Sequence, residues 1–168
     1  MQGRRYLLVA ALVIGALAAV ELATSGGGPD DGRRRAPALP AEVLTPPQTT
    51  IASLRGKPAV VNFWASWCGP CDKEAPELRR FSRDVRGRAA LVGVDWNDEL
   101  EGAREFIRKN RWSFPNLRDA DGVVGNRWGL SGLPNTFVLD ADGRIVKVLR
   151  GPQTVAQLEA AVRAAGGA

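Results

Sequence analysis

A chain of 168 residues that is 45 % apolar and 24 % charged has the composition of one globular domain with a tail, which disfavours global disorder and a multi-span membrane protein. It has no histidine and only two cysteines, so Ser-His-Asp and Cys-His catalysis and histidine-bound metal are excluded, and the thiols supply at most half of a tetrahedral zinc site. The net charge of +5 falls to +3 from Ala41 onward, where 18 Lys and Arg face 15 Asp and Glu, too mild a surplus to indicate a nucleic-acid partner.

In chain order, Arg4 and Arg5 precede Leu7 to Val20, a run of 14 residues that are all apolar or glycine, closed by Glu21. A charged start followed by an apolar stretch is the layout of an export signal. The run is short against the roughly 20 residues of a spanning helix. Tyr6, Leu22 and Ala23 lengthen it, and no good cleavage site follows. Residues 1–23 are therefore read as an uncleaved signal anchor first and as a cleaved signal peptide second. Either places the rest of the chain outside the cytoplasm: on the outer face of the cytoplasmic membrane as a single-pass protein, or secreted or periplasmic after cleavage. Residues 24–41 are expected to be a flexible tether and 42–168 the folded domain. The Gly-, Pro- and charge-rich composition up to Gln48 gives no reason to assign secondary structure there.

Thr49 to Pro58 has turn character, and Ala59-Val60-Val61-Asn62-Phe63-Trp64 is a buried strand by length and by its β-branched and aromatic content. Cys68 and Cys71 follow in Trp67-Cys68-Gly69-Pro70-Cys71. Beyond them Ala75, Leu78, Phe81, Ser82 and Val85 recur at helical spacing, with Arg79, Arg80, Arg83, Arg86 and Arg88 read as the wet face and exit. Ala89 to Val94 is a second buried strand. Asn97 or Asp98 is placed to cap a helix ending near Asn110, and Phe114-Pro115 interrupts regular structure. Gly122 to Leu130 reads as a short helix or connector. Thr136 to Leu139 and Arg144 to Leu149 flank Asp140-Ala141-Asp142-Gly143 as a hairpin. Thr154 to Ala165 closes the chain as a helix, with Thr154 and Gln157 at capping-box spacing. This order implies an α/β sandwich with parallel and antiparallel pairing.

Two thiols separated by two residues can alternate between dithiol and disulfide, so the pair reads as a redox centre. Cys68 lies where a strand hands over to a helix N-terminus, whose partial positive charge and free N–H groups stabilise a thiolate. It is the expected nucleophile, and Cys71, one turn deeper, the resolving thiol.

Asn62 to Cys71, Pro76 five residues past the second cysteine, and Gly132-Leu133-Pro134-Asn135-Thr136-Phe137 together closely resemble the thioredoxin-fold oxidoreductases over residues 42–165. The apolar N-terminus, the helix over about 98–110 and Glu74 three residues after Cys71 are similar to the membrane-tethered TlpA/ResA group, which includes cytochrome c maturation thioredoxins. The resemblance implies a thioredoxin-like α/β fold, a central mixed sheet with helices on both faces and the N-terminal apolar helix outside the domain. It implies a thiol:disulfide reductase with no cofactor and no metal. Its substrate would be an oxidised protein such as apocytochrome c and its source of electrons a membrane donor. No nucleic-acid partner is implied, and a monomer is expected. By resemblance the Leu133-Pro134 bond is cis and faces the cysteines, and Trp67, Gly69, Pro70, Leu133 and Pro134 form the substrate-binding face. Asn62 stands where cytoplasmic thioredoxin carries a buried acid. Glu74 is then the candidate to move the proton of the second thiol, although its spacing also suits a solvated helix residue. Competing readings are a disulfide-donating oxidase, a non-catalytic binding module of the same fold and, further off, a peroxiredoxin.

Overall fold

The computed structural model describes residues 33–166. The signal or anchor read at 1–23 and the start of the tether lie outside the described residues. In chain order the elements are β1 (Glu42–Thr45), α1 (Ile51–Leu54), β2 (Ala59–Trp64), α2 (Gly69–Asp84), β3 (Ala90–Trp96), α3 (Leu100–Asn110), β4 (Asn116–Asp119), α4 (Val123–Trp128), β5 (Asn135–Leu139), β6 (Ile145–Arg150) and α5 (Val155–Ala164).

β2 is buried along its whole length because it is an inner strand of a six-stranded sheet ordered β1-β4-β3-β2-β5-β6. It pairs in parallel with β3 and antiparallel with β5, β3 pairs in parallel with β4, and the two edges add antiparallel β1 and β6. Successive side chains of a strand point to opposite faces, so β2 feeds two cores. Val60 and Trp64 pack with Leu78 and Phe81 of α2, Phe106 of α3 and Leu158 of α5. Val61 and Phe63 pack with Leu54 of α1, Trp128 of α4 and Phe137 of β5. The sheet is thus mixed and covered on both faces, as a thioredoxin-like fold requires.

α2 buries Cys71, Glu74, Ala75, Leu78 and Phe81. On its outer side Arg80 and Arg83 are exposed, as are Arg86 and Arg88 beyond its end. Arg80 pairs with Glu77 and Arg88 with Glu159. α5 starts on the expected capping box: Thr154 Oγ1 accepts from Gln157 N, and Gln157 Oε1 accepts from Thr154 N.

The structure differs from the sequence expectations at five places. Residues 33–41, read as tether, lie on the domain, and the packed unit begins at Arg33. Arg35 bridges Arg144, Ala36 N donates to Gly143 O, and Trp128 Nε1 donates to Ala38 O at 3.2 Å. The Arg34 guanidinium donates to the carbonyls of Arg127 and Trp128 at the end of α4. Residues 42–45, given no secondary structure, are β1. The turn after Thr49 contains a single helical turn, α1, closed by a Thr50–Ser53 capping box. Neither Asn97 nor Asp98 caps α3: Glu99 occupies that position without a side-chain hydrogen bond. Finally, Phe114-Pro115 leads straight into β4.

Candidate functional site

The site stands where β2 ends and α2 begins. Cys68 is the N-cap of α2 in extended conformation, and its Sγ accepts a hydrogen bond from Cys71 N at 3.2 Å. First-turn N–H groups lack the usual i−4 partner, and here the Cys71 N–H is shared between Cys68 O at 3.0 Å and Cys68 Sγ. Pro70 in that turn has no N–H of its own to satisfy. The two cysteines are joined as a disulfide. Both are buried, Cys68 at 4 % exposure and Cys71 at 1 %. Gly69 and Pro70 are exposed beside them, and Trp67, at 59 % exposure, stands out from the surface.

The segment leading into Cys68 is gripped by the turn between β3 and α3, a feature the sequence reading did not find. Asp98 Oδ2 accepts from Ser66 N and Asp98 Oδ1 from Ser66 Oγ at 2.9 Å, while Trp67 Nε1 donates to Asn97 O at 3.2 Å. α3 comes so close that a Cβ on Gly102 would sit 2.7 Å from Ser66 Oγ. The clue in the sequence was Asp98 itself, whose carboxylate reaches across the fold instead of capping its own helix.

The Leu133-Pro134 peptide is cis. β5 starts at the next residue and pairs Asn135 with Phe63, which sets Pro134 alongside the end of β2. Pro134 is buried, and Leu133 packs against the cluster that contains both cysteines.

Glu74 lies one helical turn beyond Cys71 and is 1 % exposed, which rules out the solvated reading. Its Oε2 accepts from Asn62 Nδ2 at 3.0 Å and its Oε1 from Gln153 N at 2.9 Å. Burial raises its pKa to about 7, against the lowering effect of those two hydrogen bonds. Asn62 Nδ2 also donates to Thr136 Oγ1 at 2.9 Å, while its Oδ1 is buried without a protein partner. Gln153 and Thr136 complete this polar group, and no local sequence pattern announces either of them.

Among the described residues no group of three or more acidic or cysteine side chains is arranged to hold a metal. A cavity of about 400 Å³ lined by Leu54, Lys57, Arg86, Leu91 and Phe114 includes neither cysteine. Nor is any described helix long and apolar enough to cross a membrane.

Comparison with known proteins agrees with this geometry. The AhpC/TSA family model matches residues 33–148. The chain is 39 % identical over 124 residues to the thiol:disulfide interchange protein HelX of Rhodobacter capsulatus, covering 72 % of this chain and 69 % of that one. It is 28 % identical over 110 residues to the thiol-disulfide oxidoreductase ResA of Bacillus thuringiensis, covering 65 % of this chain and 64 % of ResA, just under two thirds of that relative's length. Among solved structures, a secreted disulfide oxidoreductase of Mycobacterium tuberculosis, described as homologous to E. coli DsbE, superposes with a TM-score of 0.67 at 30 % identity, covering 75 % of this chain and 95 % of that one. The chain belongs to the AhpC/TSA family, and within it is a thioredoxin-fold thiol:disulfide oxidoreductase carrying one Cys68–Cys71 pair.

Proposed function

We propose that the protein reduces disulfides of other proteins outside the cytoplasm, with Cys68 attacking and Cys71 resolving. The observation that carries this reading is the Cys71 N–H directed at Cys68 Sγ on the N-cap of α2. In the reduced protein the same donor, with the helix dipole, favours the Cys68 thiolate over the thiol.

The thiolate attacks one sulfur of the substrate disulfide, the substrate S–S bond breaks, and its other sulfur leaves as a thiolate that takes a proton from solvent. The Cys71 thiol gives its proton to the Glu74 carboxylate and attacks Cys68 Sγ. The mixed disulfide breaks, the second substrate sulfur leaves and is protonated in turn, and the Cys68–Cys71 disulfide remains. Two electrons have passed to the substrate, and a donor dithiol must return them. A carboxyl group with a pKa of about 7 is suited to this work, because it can both take and release a proton near neutral pH.

Trp67, Gly69 and Pro70 form the face over which an extended substrate segment lies, with the Leu133 backbone ahead of Pro134 pairing to it. The substrate class is an oxidised exported protein, with the haem-binding cysteines of apocytochrome c as the leading candidate and a membrane thiol reductase as the donor. Residues 1–23 place the domain on the outer side of the cytoplasmic membrane, and the protein acts as a monomer. The secreted M. tuberculosis relative supports the compartment.

The test is insulin reduction together with substrate trapping. Cys68→Ser abolishes turnover and captures nothing, whereas Cys71→Ser accumulates mixed disulfides through Cys68. If Cys68→Ser still complements a deletion strain, the protein serves as a binding module and the redox reading fails.

A further inference from the structure

Asp95 lies at the end of β3, in register with Trp64 of β2 on one side and Arg118 of β4 on the other. It is fully buried, and neither of its carboxyl oxygens receives a hydrogen bond. The charged groups that face it are Asp98 from the β3–α3 turn, Arg118 from β4 and Glu42 from β1. Arg118 Nε is 3.8 Å from Asp95 Oδ2 and makes no hydrogen bond. Its terminal nitrogens are spent elsewhere, on Asp98 O at 2.8 Å and on the Glu42 carboxylate at 3.3 Å. Asp98 is the opposite case: its carboxylate accepts from Ser66 N, from Ser66 Oγ and from Glu99 N at 2.7 Å.

A carboxylate that accepts several hydrogen bonds is held ionised, and a buried one that accepts none is driven to its acid form. We propose that Asp95 is a neutral acid that shares its proton with Asp98, and that this proton steadies the Asp98 grip on Ser66 and Trp67 just ahead of Cys68. Burial first, and then the neighbouring Asp98, push the Asp95 pKa up to about 8, in keeping with that placement.

Loss of the proton to solvent leaves two buried carboxylates facing each other beside one guanidinium. Repulsion then acts on Asp98, whose other contacts are the Ser66 N–H and hydroxyl and the Glu99 N–H. Asp95 is a positioning residue: it touches neither sulfur and acts on the reaction through the segment that carries Cys68. That functional consequence rests on Cys68 as the attacking thiol; the shared proton itself does not.

The two can be tested apart. In the oxidised full chain no thiol titrates, so carboxyl-carbon and amide NMR across neutral and alkaline pH reads the pair directly. The Asp95 carboxyl should titrate with a midpoint near 8, and the Ser66 amide proton should follow the same midpoint. Asp95→Asn keeps a donor for Asp98 but cannot ionise, so the Ser66 amide should lose that titration. The Cys68 alkylation rate of the reduced variant should lose its inflection near 8, while its neutral-pH rate stays within about threefold of the parent. An Asp95 carboxyl already ionised at neutral pH, or a Ser66 amide indifferent to it, overturns the proposal. Should the variant fail to fold, the titration of the unsubstituted chain decides alone. A normal titration with an unchanged alkylation profile in the variant removes the functional consequence and leaves the carboxyl pair.

Discussion

Asn62 Nδ2 donates to Glu74 Oε2 at 3.0 Å, joining the middle of β2 to the first half of α2 through a fully buried contact. An acid at position 62 would place a second negative charge against Glu74. The amide instead adds a donor, which draws the Glu74 pKa down while burial draws it up, and the balance falls at about 7. In the proposed mechanism the proton-handling group stands on the helix, and Asn62 on the strand tunes it.

Glu74→Gln keeps the shape and removes the base. First attack by Cys68 should proceed normally while resolution slows on the order of 100-fold, the lower range for loss of a positioned base. Rapid-quench analysis should show the mixed disulfide accumulating, and the inflection near pH 7 should disappear from the resolution rate.

The same group makes stability depend on pH in a defined direction. Its folded pKa of about 7 lies above the ordinary 4.5, so the folded state holds a proton that the unfolded state has released. That contribution is complete below about 4.5, falls as pH rises towards 7 and is absent above it. At about 1.4 kcal/mol per pH unit the fall amounts to about 3 kcal/mol. Asp95 acts in the same sense between 3.8 and about 8. Urea denaturation of the oxidised chain on either side of this window should show the loss, and Glu74→Gln should remove the Glu74 share alone.

Asn62→Ala takes a donor from Glu74 and from Thr136 at once, inside a site that water does not reach. A destabilisation of about 1–3 kcal/mol is expected from the partners left unsatisfied. The pH midpoint of resolution should move to higher values, since only the Gln153 N–H then opposes burial. An unmoved midpoint in the same rapid-quench assay would show that Asn62 does not tune the acid.

Gly93 in the middle of β3 has no room for a side chain. A Cβ there would run into Asn116 Oδ1 and come within 2.9 Å of Trp64 Nε1, two atoms already hydrogen-bonded to each other at 3.2 Å. Trp64 in turn stacks on Phe106 with ring centroids 4.9 Å apart and meets Trp112 edge-on. Gly93→Ala should therefore cost about 1–3 kcal/mol through overpacking, seen as a lowered midpoint in thermal unfolding of the oxidised chain.

What could be read beforehand follows from where each signal resides. β2, α2, the β5–β6 hairpin and α5 announce themselves because apolar spacing or a capping pair is written within a few residues. β1 and β4 are four residues long, and β4 carries Asn116, Arg118 and Asp119, so no alternation marks it. Residues 33–41 attach through Ala36 N to Gly143 O, Ile145 N to Arg34 O, and the Arg34 guanidinium to two carbonyls. Contacts made through backbone atoms leave almost no trace in residue type. In the site, the cysteine pair was legible from its spacing, and Glu74 and Pro134 from the family resemblance. Asp98 was assigned to the wrong partner because its real one, Ser66, is distant in sequence, and Asp95 was hidden inside an apolar strand pattern.

A Cys68–Cys71 pair that works as a reductant must have a low redox potential. Equilibrating the full chain with glutathione buffers and quantifying the dithiol and disulfide forms measures its potential. A value of about −270 mV, in the range of thioredoxin, is expected; one of about −120 mV, in the range of a dedicated oxidant, would show that the pair donates its disulfide instead.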